Sequence, residues 1–146
     1  MGRTTGASDT GRVLGLDLGD ARIGVAISDA ERRVAVPHGT ISVGQPPGEL
    51  KAVAALVRDL DVSVVVVGDP RSLSGASGPR SQQADAFAQA LRVVVDVPVE
   101  LQDERLSTVE AERALREAGV TGKRRRSVID ESSAVVILDA WLDAHR

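Results

Sequence analysis

The chain predicts an α/β fold class: a mixed five-stranded sheet flanked by helices on both faces. Three observations lead there. A Gly-rich stretch, RVLGLDLGDARIGVAISD from Arg12 to Asp29, holds two apolar runs separated by the short segment Leu18–Arg22. A third extended run, Arg33–Val43, follows at once. After it, segments of helical and of strand period alternate, the pattern of crossover connections onto a shared sheet.

The first run carries Val13, Leu14 and Leu16, then Asp17. In the second, Ile23, Val25 and Ile27 alternate with Gly24, Ala26 and Ser28, so the two form a hairpin. In the third, Val34, Val36, Ile41 and Val43 are interrupted by Pro37, which suits an edge strand or a bend. The segment GQPPG, Gly44–Gly48, is a loop. Leu50, Val53, Ala54, Val57 and Leu60 have helical spacing. Val62–Val67, VSVVVV, is a buried strand closed by Gly68-Asp69-Pro70. The polar Arg71–Arg80 is read as a mobile loop, and Gln83–Leu91 as a helix with Ala84, Phe87, Ala88 and Leu91 inward. Val93–Val95 fits either a longer helix or a strand, and Val97–Leu101 is a short strand. Ser107-Thr108-Val109-Glu110 matches a capping box, with Leu106 as its staple and Gly119 as a stop. Thr121–Ser127 reads as a basic loop before a last helix through Ile129, Ser133, Val136, Ile137 and Ala140. Residues 1–11 form a flexible leader, and residues 12–146 a single domain.

Composition narrows the function classes. There is no cysteine, which removes disulfides and thiolate metal sites and fits a cytoplasmic protein. No apolar run approaches a membrane span, and the N-terminus lacks the apolar region of a secretory signal. The net charge of −3 argues against a generic nucleic-acid coat but leaves local basic patches open. Phe87 and Trp141 are the only aromatics, too few for base-stacking platforms. Any nucleic acid should therefore be gripped mainly through its phosphates.

Three carboxylates stand out. Asp17 interrupts an apolar strand, Glu104 follows the last strand, and Asp130 opens the last helix. Small Ser133 and Ala134, on the face of Asp130, would let that helix press on the sheet and bring Asp130 beside Asp17. Two carboxylates about 4 Å apart repel by about 4 kcal/mol at an effective dielectric of 20. A hard divalent cation such as Mg²⁺ resolves that cost, and suits attack of water on a phosphodiester. Taken singly, Asp17 could bond a turn, Glu104 could pair with Arg105 or Arg22, and Asp130 could serve only the helix dipole.

These residues carry a resemblance. GLDLGDARIGVAISD, the DERLSTVEAERALREAG block and the VIDESSAVVILDAWLD block are similar, in order, to the YqgF (RuvX-like) family. The resemblance spans nearly all of residues 12–143. It implies an RNase H-like fold, and Asp17, Glu104 and Asp130 as catalytic acids binding Mg²⁺ or Mn²⁺. It implies a nuclease that processes the 5′ end of pre-16S ribosomal RNA, with Holliday-junction resolution in DNA recombination or repair as the alternative. Expected partners are nucleic acid (an rRNA precursor or branched DNA), with ribosomal particles and a second copy of the chain as further candidates, and no membrane. The family usually has Gly-Leu-Pro where Gly68-Asp69-Pro70 stands, and two alanines at Ser133-Ala134. Asp69 therefore has two readings, a turn-bonding residue or an outer ligand of the metal.

Phosphate contacts are expected from Lys123, Arg124, Arg125 and Arg126, from Arg22 beside the hairpin turn, and from Arg105 beside Glu104. Arg71 and Arg80 bracket the polar loop and could close over a substrate. Two rivals remain at this point. An actin-like phosphotransferase also opens on an Asp- and Gly-rich hairpin, but 146 residues leave no room for a second lobe. A non-catalytic RNA- or ribosome-binding module would keep the fold and show no Mg²⁺ binding.

Overall fold

The structure, a computed structural model, describes residues 10–44, 48–70, 78–103 and 122–145, with backbone only for 122–131. The five strands are β1 (Arg12–Leu18), β2 (Arg22–Ser28), β3 (Ala35–Ser42), β4 (Val62–Asp69) and β5 (Val99–Asp103). The helices are α1 (Gly48–Asp59), α2 (Pro79–Val94) and α3 (Gly122–Ala144). The strands form one mixed sheet in the order β3-β2-β1-β4-β5. β3, β2 and β1 are antiparallel neighbours, and β4 and β5 run parallel to β1.

Strand alternation sorts the core into two layers. Leu14, Leu16, Ile23, Val25, Val65 and Val67 face α1 and α2, and meet Val53, Val57, Ala88 and Leu91. Val13, Ala26, Val64 and Val66 face α3, and meet Ala134, Ile137, Leu138, Trp141 and Leu142. The unbroken valines of β4 thus serve both layers, as a strand covered on two faces requires. Pro37 does lie on the edge strand, where β3 skips His38 in a bulge opposite Val25 and Ala26.

Several boundaries differ from the sequence expectation. Val93 and Val94 extend α2, exposed on its last turn, and the helix starts at Pro79 rather than Gln83. Proline is pre-set for a first helical turn. β5 begins two residues late, at Val99, after Pro98. The basic loop expected at Thr121–Ser127 is instead the start of α3 from Gly122. Lysine and arginine are good helix formers, and no glycine or proline follows Gly122 to break the run. The capped helix expected from Ser107 lies outside the described residues, as does most of the leader; the chain is tied in from Thr10, whose carbonyl accepts from Arg32.

The β2–β3 connection is held by Asp29. Its Oδ1 accepts from the backbone N–H of Arg33 at 2.7 Å and of Val34 at 3.0 Å, across a turn in which Arg32 takes φ +59°. The Val34 N–H does most to hold the Asp29 carboxyl below its ordinary 3.8; desolvation opposes it, and the Arg33 N–H adds to the lowering. A lowered folded pKa adds stability above the unfolded pKa that is lost as pH falls through the folded value. Asp29→Asn is therefore expected to lower stability at neutral pH, and to flatten the loss of stability below about pH 4 where aspartates protonate. Urea melts from pH 7 to pH 2 check this; parallel wild-type and variant curves would show that the turn does not need the charge.

Candidate active site at the sheet edge

The parallel strands β1, β4 and β5 all end at one edge of the sheet, with Asp17, Asp69 and Asp103 in their last turns of chain. Asp17 is half-buried and shares the parity of Val13, so it lies on the α3 face. Its partner across the ladder is Gly24, so no side chain stands beside it there. Arg22 is two residues from Gly24 on the same face, diagonal to Asp17. The hairpin between them closes with the Gly19 N–H donating to the Arg22 carbonyl at 3.0 Å. A Cβ at Gly19 would lie 2.7 Å from that same oxygen, so this corner takes only glycine.

Helix α3 brings residue 130 to this edge. Arg32 bonds the carbonyls of Gly11 and Thr10, just before β1, and its guanidinium lies 5.7 Å over the Trp141 ring. The C-terminal end of α3 therefore sits at the start of β1. At the middle of β1, a Cβ on Gly15 would meet Leu138 Cβ at 2.9 Å and the Ala134 carbonyl at 3.2 Å. So α3 runs counter to β1 and touches it at Gly15. Four residues back from Ala134 is about 6 Å of helix, and two residues on from Gly15 is about 6.6 Å of strand. The helix backbone at residue 130 thus comes level with Asp17.

The other expected site residues are placed as follows. Asp69 is buried, with the parity of Val65 and Val67, so it faces α2 rather than α3; its carboxylate accepts from the Ser81 hydroxyl. That bond ties β4 to the first turn of α2. Arg80, in the same turn, pairs with Asp20 of the hairpin at 3.1 Å; both are well exposed, so the pair contributes about 0–1 kcal/mol. Lys123, Arg124, Arg125 and Arg126 fall in the first turns of α3. Glu104 and Arg105 lie outside the described residues, directly after Asp103. Among the described residues, no three His, Asp or Glu side chains gather closely enough to hold a metal. No helix among them is long and apolar enough to cross a membrane.

A family model described as RuvX, Holliday junction resolvase, matches residues 11–144. A Pelotomaculum thermopropionicum protein named "Putative pre-16S rRNA nuclease" is 46% identical over 134 residues, 91% of this chain and 87% of its own. A Mycobacterium bovis protein of the same name is 47% identical over 91% of this chain and 79% of its own. This chain belongs to the RuvX family. Its fold is that of solved resolvases. The Thermus thermophilus RuvC structure matches with TM-score 0.54 at 16% identity, covering 91% of this chain and 95% of that one. The fowlpox virus Holliday junction resolvase matches with TM-score 0.55 at 11% identity, covering 91% and 99%. The expected RNase H-like architecture, with helices on both faces, is thus the one the RuvX chain adopts.

One feature of the α3–sheet contact is not visible in the sequence. Ser133 was read there only as a small residue that lets the helix approach. It is fully buried, and among the described residues its Oγ is the buried side-chain polar atom without a hydrogen-bond partner. An unmet buried hydroxyl costs about 1–3 kcal/mol.

Proposed function

We propose that this chain is a divalent-cation-dependent endonuclease on structured nucleic acid, and that its substrate is the 5′ region of pre-16S rRNA. The observation that carries the reading is the crossing of α3 over β1 at Gly15, which sets Asp17 and residue 130 level at one edge of the sheet. Glu104 follows Asp103 directly in sequence, and β5 is tied to α3 through Glu100, whose carboxylate accepts from the Trp141 indole N–H. The substrate class rests on the relatives at 46–47% identity.

The donor set fits Mg²⁺ or Mn²⁺. Asp17 offers hard oxygen ligands, and Gly24 opposite leaves room for a hydrated ion. Asp17, Glu104 and Asp130 would hold it; Asp69 faces the other layer and is left out of the set. A bound divalent cation would supply activation of water and charge neutralisation at the scissile phosphate. The chain's own part would be to hold Asp17 on β1 and residue 130 on α3 and to orient the phosphate, with Arg22 diagonal to Asp17 and Arg105 next to Glu104 in sequence. Action on ribosomal precursors places the protein in the cytoplasm, with nascent ribosomal particles as its setting.

A second reading, resolution of Holliday junctions, is favoured by the family model's description and by the likeness to solved resolvases in fold. Cleavage of a precursor-rRNA leader and of a four-way DNA junction, run side by side with Mg²⁺, decides between them. Cutting of the junction alone would overturn the rRNA assignment, and cutting of neither would leave a binding module.

Lys123–Arg126 give a separate test. Four cations in the first turns of α3, with no acid among them, oppose the helix dipole. A nucleic-acid phosphate backbone would offset that. Replacing all four with Ala is expected to leave Tm unchanged or higher while weakening binding. Each lost contact should flatten the log–log salt slope by about 0.9 for duplex DNA or about 0.7 for a single strand. Unchanged affinity and slope would make the run a solvated surface.

A further inference from the structure

We infer that Arg80 is a phosphate contact for the nucleic acid, and that Asp20 occupies its guanidinium until a phosphate takes over. The inference rests on the nucleic-acid reading above and names a point of contact for it. Arg80 stands in the first turn of α2, and Asp20 in the turn of the β1–β2 hairpin. The two side chains meet through one bond, Arg80 Nη2 to Asp20 Oδ2 at 3.1 Å, and are 60% and 83% exposed. The backbone under each is tied down without that bond. The hairpin closes through the Gly19 N–H on the Arg22 carbonyl. The first turn of α2 is held by the Ser81 hydroxyl donating to the buried Asp69, and by the Gln82 N–H donating to the Gly78 carbonyl at 3.0 Å. Arg80 can therefore turn away from Asp20 without moving its helix.

Position says what it turns toward. Asp20 is three residues past Asp17, so their backbones lie at most about 11 Å apart. A nucleic-acid strand carries one charge about every 3.4 Å of its axis. A strand with one phosphate at Asp17 thus lays further phosphates across the hairpin turn, where Arg80 waits. There the guanidinium exchanges a single bond to a carboxylate for the two parallel bonds that a phosphate can accept from its fork. It gives up little, since an exposed ion pair holds by no more than about fivefold. Asp20, once released, faces water.

The test measures affinity for a precursor-rRNA leader fragment and for a four-way DNA junction across a salt series, with Mg²⁺ withheld so that neither probe is cut. Asp20→Asn frees the guanidinium and is expected to bind up to about fivefold tighter than wild type. Asp59→Asn removes the same charge at the end of α1, beside the start of β4 and away from the hairpin turn, and should bind as wild type does. Arg80→Ala is expected to bind more weakly, with a log–log salt slope flatter by about 0.7–0.9. The double variant Asp20→Asn/Arg80→Ala should keep the flatter slope and stay weaker than wild type. All four should melt with wild type, because the pair holds neither element in place. Unchanged affinity and slope in Arg80→Ala, beside a wild type that binds, overturns the inference and leaves the nucleic-acid reading standing. A double variant restored to wild-type affinity and slope also overturns it, making Arg80 only a screen for the Asp20 charge. Asp20→Asn binding no tighter than wild type overturns the exchange. A wild type that binds neither probe removes the nucleic-acid reading, and the inference with it.

Discussion

Asp17→Asn is expected to bring cleavage to background while leaving the fold intact. Asn is nearly isosteric, and Gly24 opposite imposes no contact that the amide would break. In the proposed site, the change removes one charge from a set of acids that would repel one another with no cation bound. Without Mg²⁺ the variant should therefore melt with wild type or slightly above it. With Mg²⁺ the order reverses. At a cation concentration 100 times its Kd, wild type gains about 2.7 kcal/mol from binding, and the variant gains less. A neutral amide is also a poorer ligand for a hard ion. Melts with and without Mg²⁺ beside a cleavage assay read all of this together. A variant that is destabilised equally in both conditions and still cuts would make Asp17 structural.

Gly15→Ala is expected to cost both stability and activity, though it adds one methyl and touches no acid. The new Cβ would meet Leu138 Cβ at 2.9 Å and the Ala134 carbonyl at 3.2 Å. Neither is the free end of a flexible side chain, so α3 itself must move away from β1. Overpacking of this kind costs about 1–3 kcal/mol, or about 2–4 °C in Tm for each kcal/mol in a domain of this size. The same movement carries residue 130 away from Asp17, so kcat should fall more than the small loss of folded protein explains. Gly44→Ala is the control, since a Cβ there meets nothing within 4 Å. If Gly15→Ala melts and cleaves like wild type, the close approach of α3 to β1 does not position the site.

The sheet was legible because its signals are local. Alternation in Ile23–Ser28, the continuous valines of β4 and Pro37 on the edge strand each report their own surroundings. The start of α3 was not, because four adjacent cations hide the helical period that Ile137, Leu138 and Trp141 reveal further on. Asp69 was ambiguous for another reason. Its parity with Val65 and Val67 was in the sequence, but the donor that claims its carboxylate, Ser81, is twelve residues away on a different element. Ser133 was the hardest to see. Size explains why it fits the helix–sheet contact, and nothing in the sequence signals that its hydroxyl is buried without a partner.

The passage of α3 across the sheet also sets what kinds of change this chain can absorb over time. Trp141, Leu138 and Ala134 anchor the helix, and residue 130 takes its position by counting back from them. Swapping one small or apolar residue for another along this stretch leaves the count intact. Gaining or losing a single residue between 130 and 134 does not: it turns everything upstream by about 100° and shifts it by about 1.5 Å. Drift among related sequences should therefore show exchanges among small and apolar residues at 131–134 but an unvarying length. The Gly- and Pro-rich segment 44–47 before α1, which has no such count to keep, is where insertions and deletions belong.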